Sequence, residues 1–240
     1  MHQSPSISQR REEKEHVELL PAIEELRGPI KKLLNKLRPH IEKGEYQLLI
    51  SDEASGRIPS LILLRLINEV YKEKGYPHLV FFALSGGGSF WDYDYNQKPE
   101  DIAGYLTRIL PKTRFGNKAP LKALIVTDTI YNGKTFEVFN IGLSRANIQS
   151  DTATVGVDGP MKEGDSRHRL ETMYQTHIFW GMEGTPQISG REDLSGVRTI
   201  DPFHLQTRTI TDPDVVATRI RARRDVRTLT HELVKWYKQQ

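Results

Sequence analysis

A carboxylate, a glycine and a hydroxyl follow one another closely in Asp128-Thr129-Ile130-Tyr131-Asn132-Gly133-Lys134-Thr135, one residue (Thr127) after the apolar run Leu124-Ile125-Val126. A carboxylate accepts hydrogen bonds from hydroxyl groups. A glycine lets backbone N–H groups approach an anion with no side chain in the way. A helix beginning near Thr135 adds its unsatisfied N–H groups and the positive end of its dipole, and the Thr135 hydroxyl is one more donor. These groups suit a sugar phosphate, with the carboxylate on the sugar hydroxyls and the N–H cradle on the phosphate. A second polar turn, Asp52-Glu53-Ala54-Ser55-Gly56-Arg57, follows another apolar run, Tyr46 to Ile50. Gly56 there permits close backbone approach, and Ser55 and Arg57 can donate to phosphate oxygens, the guanidinium in a charge-assisted way. The acidic pair Asp52 and Glu53 reads as a cap of that turn. Taken singly, Gly133 could serve an ordinary strand-to-helix turn and Arg57 an ordinary surface. Two such turns in consecutive units favour a shared ligand.

The elements that must carry these turns are legible from periodicity. Val17 to Lys43 has apolar residues at three- and four-residue steps, which predicts helix, divided by Pro21 and Pro29 and closed by Gly44. Tyr46 to Ile50, His78 to Leu84, Leu121 to Asp128, Thr152 to Val157 and His177 to Met182 read as buried strands. Helices are expected over Ser60 to Lys74, Ile102 to Leu110 and Thr135 to Ser144. A last helix should follow Thr211-Asp212-Pro213 and run to Lys238. Strand and helix alternate, so the expected class is α/β, with a parallel sheet between helices. Ligands of such sheets bind outside the carboxyl ends of the strands, where both polar turns would lie.

The stretch from Leu124 to Thr135 resembles the phosphoribosyl pyrophosphate (PRPP) motif of type I phosphoribosyltransferases: apolar strand residues, two acidic positions, four further positions, then Gly-x-Thr. Asp128 falls on the second acidic position, and Gly133 and Thr135 on the Gly and Thr. Thr127 stands where the family has its first acid, and Tyr131 where some purine enzymes carry an aspartate. The resemblance covers chiefly Gln47 to Val157. It implies that Asp128, with Thr127, serves the ribose hydroxyls and the reaction. It implies that Tyr131, Asn132, Gly133, Lys134 and Thr135 hold the 5′-phosphate, and that Ser55, Gly56 and Arg57 hold pyrophosphate. The implied activity is transfer of the phosphoribosyl group to a nitrogenous base with release of pyrophosphate. Mg²⁺ would be carried mainly by PRPP, with Asp128 as a further contact, and no other protein metal ligand is implied. The alternative is a non-catalytic sensor of the same fold that binds PRPP or a nucleotide. The implied organisation is an N-terminal helical extension over residues 1–44, then a phosphoribosyltransferase-like domain over residues 45–240 that includes the C-terminal helix. The region from Ser85 to Lys118 would be a hood or lid, with Arg108, Lys112, Arg114 and Lys118 as closing cations and Phe90, Trp91, Tyr93 and Tyr95 as its aromatics.

Composition bounds the rest. The chain has 240 residues, 37% hydrophobic and 27% charged, with a net charge of +3. That fits a globular protein with a sizeable core. Without cysteine there are no disulfides, thiolate metal sites or cysteine nucleophiles. No apolar run is long enough to cross a bilayer, and a cytoplasmic setting without membrane contact is expected. The histidines show no H-E-x-x-H spacing, and no P-loop, G-x-S-x-G or G-x-G-x-x-G motif occurs. Arg219, Arg221, Arg223, Arg224 and Arg227 cluster near the end. They read as a solvated helix face, and a nucleic-acid partner is not expected. PRPP or a nucleoside monophosphate is the expected ligand, and a homodimer the expected assembly.

Overall fold

A computed structural model describes residues 18–52, 56–71, 77–82, 97–110, 121–201 and 206–240. Glu53, Ser55, the aromatics from Phe90 to Tyr95, and Lys112, Arg114 and Lys118 lie outside those residues.

Five strands form one parallel sheet in the order β2-β1-β3-β4-β5. They are β1 (Leu48–Asp52), β2 (His78–Phe82), β3 (Leu121–Ile130), β4 (Ile148–Val157) and β5 (Ile178–Glu183). The chain moves outward from β1 to β2 through α3 (Arg57–Val70). It then returns past β1 to β3 through α4 (Gln97–Ile109) and continues outward through α5 (Lys134–Arg145) and α6 (Asp165–Tyr174). Strand order therefore reverses between β1 and β3. A crevice opens at such a switch point because successive connections leave on opposite faces.

The strands read as continuous apolar runs because both faces are covered. On one face Leu49, Leu124, Val126, Ala153 and Val155 pack with α2 (Arg27–Lys43), α3 and α8 (Pro213–Lys238), through residues such as Ile30, Leu34, Leu63, Ile67 and Leu229. On the other, Leu48, Ile50, Ala123 and Ile125 meet Ile102, Leu106, Phe139 and Leu143 of α4 and α5. Leu124 and Ile125 are adjacent, fully buried and on opposite faces. Each such side chain contributes about 1.5–3 kcal/mol. A third apolar cluster, with Ile130, Phe136, Val157, Met161 and Leu170, closes the carboxyl end of β3 and β4.

The helices before Gly44 join the main core: Ile23, Leu26, Leu33 and Leu37 are fully buried in the cluster that covers the sheet. The break expected from proline falls between α1 (Pro21–Glu24) and α2, and α2 runs through both Pro29 and Pro39. Gly44 ends α2 in the left-handed conformation, φ 73°. Buried Asp225 of α8 accepts the Leu20 N–H at 3.0 Å and ties the start of this layer to the last helix.

Beyond the expected elements lie α6, the short helix α7 (Glu192–Ser195), and an antiparallel pair of β6 (Val197–Asp201) with β7 (Gln206–Thr209). β1 and β3 each run two residues past their expected ends, to Asp52 and Ile130, because pairing with neighbours continues that far. Asp52 pairs with Phe82, and Ile130 with Val157.

Candidate functional site

α5 begins where the sequence places it, one residue before Thr135. Gly133 precedes it with φ 80° and ψ 0°, a conformation that costs an L-residue roughly 1–2 kcal/mol. Space enforces the same choice, since a Cβ there would sit 2.5 Å from Leu170 Cδ1. The Asn132 side chain accepts the Lys134 N–H at 3.1 Å and fixes the entry to the helix. The Thr135 and Phe136 amides belong to the first turn and have no intrahelical acceptor. Both residues line a cavity of about 160 Å³ bounded by Thr127, Thr129 and the whole segment Tyr131 to Phe136. Its floor is Ile125, Phe139 and Thr152. Thr152 is fully buried, and among the described residues no partner reaches its hydroxyl. The first turn of α5, two threonines of β3 and Lys134 thus border a space the size of a phosphoryl group with a small attachment; the Thr127 hydroxyl itself donates to Asp128 Oδ1 at 3.4 Å. Drug-sized ligands need about 300 Å³ or more. Any sugar would therefore extend from the cup along the sheet edge.

The carboxyl end of β4 shapes the rim. The Tyr131 carbonyl accepts the Met161 N–H, and its exposed ring lies against Gly159, whose φ is 52°. Asp158 is half-buried and held below the usual carboxylate range, first by the Gly159 N–H and then by the Thr185 hydroxyl. Thr129 Oγ1 lies 2.9 Å from Ser189 Oγ, which brings the 185–190 loop to the same edge.

The structure brings Thr127, Tyr131, Asn132, Gly133, Lys134 and Thr135 together around the cup. It places Asp128 elsewhere. β3 keeps its alternation through Ile130, so Asp128 shares the face of Leu124 and Val126, turned towards α3, while Thr127 and Thr129 face the cup. Asp128 is buried, and its Oδ1 accepts the Thr129 N–H at 2.6 Å. The carboxylate on the Thr127 side is Asp52. It alternates with Ile50 on that face, and the pairing of Ser51 with Val126 brings the next residues of β1 and β3 abreast. The two residues at the end of an apolar run were visible in the sequence. Their side of the sheet was not, because the strand continues beyond them.

Gly56 and Arg57 divide the second turn. The Gly56 N–H donates to the Asp52 carbonyl at 3.0 Å, so it closes the turn rather than pointing outward. A Cβ there would collide with Ser51 Oγ and with the Val126 carbonyl, so Gly56 permits the turn to approach β3. Ser51 Oγ donates to that same carbonyl at 2.8 Å. Arg57, the first residue of α3, lies 5.2 Å from the Phe81 ring centroid and on the α8 side of the sheet.

A second polar cluster lies at the amino edge, far from these turns along the strands. His40 Nδ1 is 2.8 Å from Glu45 Oε2, and Lys122 Nζ is 3.1 Å from Glu45 and 2.7 Å from Asp151. His40, Glu45 and Asp151 have spacing compatible with a cation, and the Lys122 ammonium already supplies one. Burial opposes the charge on Lys122, but Asp151 and Glu45 outweigh it and raise its pKa. Asp151 also accepts from the Tyr46 hydroxyl at 2.9 Å and from the His177 N–H at 3.1 Å. Burial, then Asp151, pushes the Tyr46 phenol far up. This is a structural lock rather than a reactive site.

No protein-family model matches the chain, and no curated protein matches it significantly. No helix among the described residues is long and apolar enough to cross a membrane.

Proposed function

We propose that this protein binds a ribose 5-phosphate moiety, as PRPP or a nucleoside monophosphate, and transfers the phosphoribosyl group to a nitrogenous base. The observation that carries the reading is the cup at the start of α5, with a left-handed glycine, first-turn amides and threonine hydroxyls at a sheet's switch point. In this reading the amides of Thr135 and Phe136, the Thr135 hydroxyl and Lys134 hold the 5′-phosphate, and Tyr131 and Asn132 shape its rim. The ribose lies across the ends of β1 and β3, where Thr127 and a carboxylate, Asp128 or Asp52, accept from its hydroxyls. Ser55, Gly56 and Arg57 border the pyrophosphate, with Arg57 supplying charge. Mg²⁺ carried on the pyrophosphate oxygens neutralises the leaving group. Holding both ends of PRPP while positive charge grows on the ribose ring is the main contribution asked of the protein.

The test is incubation of the full chain with PRPP, Mg²⁺ and a panel of purine and pyrimidine bases, with pyrophosphate release as readout. Release with one base, and loss of ribose 5-phosphate affinity by about tenfold in Thr135→Ala, support the reading. Absence of both binding and release overturns it. A second reading, a non-catalytic sensor of PRPP or nucleotide, is favoured by Thr127 in place of an acid and by the turn of Asp128 away from the cup. Tight PRPP binding without release under any base selects it.

A further inference from the structure

On the opposite face of the sheet from the cup, α3, α7 and α8 enclose a cavity of about 430 Å³. Arg57 and Arg65 come to it from α3, and Arg223 and Arg227 from α8. Among the described residues, no carboxylate lines it. Asp225, the acid in the middle of this basic stretch, is turned inward to the Leu20 N–H and to Arg224. Among the described residues, Arg65, Arg223 and Arg227 have no ion-pair partner. The guanidiniums crowd one another: burial, followed by Arg219, Arg57 and Arg227, lowers the pKa of Arg223. Arg65, Arg223 and Arg227, like charges without an ion-pair partner around a concave space, are unfavourable in the empty protein and are relieved by a bound anion.

The rest of the lining defines the ligand further. Ile58, Leu61 and Val226 give the cavity an apolar wall, and Leu61 is 37% exposed. Bare phosphate would leave the apolar wall unused. The volume lies in the range of small-molecule sites, about 300–1,000 Å³. An extended polyanion such as RNA would need a basic stripe rather than four arginines converging on one pocket.

We propose that the groove between α3 and α8 is a binding site for a small organophosphate: a phosphate or diphosphate group held by Arg65, Arg223 and Arg227, joined to an apolar or planar body that covers Ile58, Leu61 and Val226. Guanidinium groups suit both halves of such a ligand, since they pair bidentately with phosphate and stack on planar rings. The site lies across the sheet from the ribose-phosphate cup and does not depend on the reading of that cup.

The experiment is isothermal titration of the full chain with ADP and, separately, with inorganic pyrophosphate, each repeated in saturating ribose 5-phosphate. The expected result is that ADP binds more tightly than pyrophosphate and that ribose 5-phosphate does not displace it. The variant R223A/R227A, both residues exposed, is expected to weaken ADP binding by about tenfold or more. Leu61→Glu, which puts a carboxylate on the exposed rim, is expected to weaken it independently. Far-UV circular dichroism confirms that both variants fold. Displacement of ADP by ribose 5-phosphate, or wild-type affinity in both variants, overturns the proposal. So does binding of single-stranded RNA without binding of ADP. Failure on any of these counts leaves pyrophosphate release from PRPP unaffected, so the two readings fail separately.

Discussion

Replacing Gly133 with alanine tests both the backbone geometry and the packing of the cup. Two penalties are expected. The first is conformational: φ is 80°, and an L-residue in that region costs roughly 1–2 kcal/mol. The second is steric: the new Cβ would lie 2.5 Å from Leu170 Cδ1, in a closed apolar cluster with Met161 and Phe136, and such overpacking costs about 1–3 kcal/mol. Reduced freedom of the unfolded chain returns about 0.4–1 kcal/mol. The net expectation is destabilisation by about 1–4.5 kcal/mol, centred near 3. Urea unfolding followed by circular dichroism measures it, as a lower midpoint with unchanged slope. The steric share is separable. In a Leu170→Ala background the contact is gone, so adding Gly133→Ala should cost only about 0–1.5 kcal/mol. A change within about 0.5 kcal/mol in the wild-type background, or equal costs in both, would refute the reasoning.

Lys122→Ala should destabilise by roughly 2–4 kcal/mol in urea, because it leaves buried Asp151 facing Glu45 without a cation; a loss below about 0.5 kcal/mol would show the lock to be dispensable. For the same reason chelation with EDTA should leave the thermal midpoint of the wild type unchanged. Glu45 is held below the usual carboxylate range, since His40 and Lys122 outweigh its burial. Its contribution is therefore complete above the unfolded carboxylate pKa and lost as pH falls through the lower folded value, so the stability gap between wild type and Glu45→Gln should close between about pH 6 and about pH 3. Lys122 has the opposite sign and matters at alkaline pH, where its contribution fades as pH rises through its raised pKa. Asp128→Asn and Asp52→Asn, titrated separately with ribose 5-phosphate, decide which carboxylate serves the hydroxyls; the one that does should weaken binding by about tenfold.

Much of the fold was written in local pattern. Each sheet strand contains a short run that the sequence marked, although β4 begins four residues earlier than expected through polar Gln149, Ser150 and Asp151, and α5 begins and ends within a residue of its expected limits because Gly133 and the periodicity of Phe136, Phe139 and Leu143 are local signals. Gly44 announced the end of α2 in the same way. α6 gave no comparable signal, since Leu170 is its only buried residue. The hairpin of β6 and β7 was likewise silent, because what pairs its short strands is each other rather than an apolar run.

The chain by itself determined the order of strands and helices, the polar turns at strand ends, and the glycine that starts α5, because each depends on residues within a few positions of one another. Tertiary structure decided the rest. Continued pairing of β3 with β4 carried the alternation past Thr127, which turned Asp128 to one face and left Thr127 and Thr129 on the other. Packing of α8 against α3 joined Arg223 and Arg227 to Arg57 and Arg65 around one cavity. It also turned Asp225 inward to the Leu20 N–H, where it still pairs with Arg224. The physical reason is that a side chain's partners are set by which surfaces are buried together, and that burial brings together residues more than a hundred positions apart, beyond the reach of any local pattern.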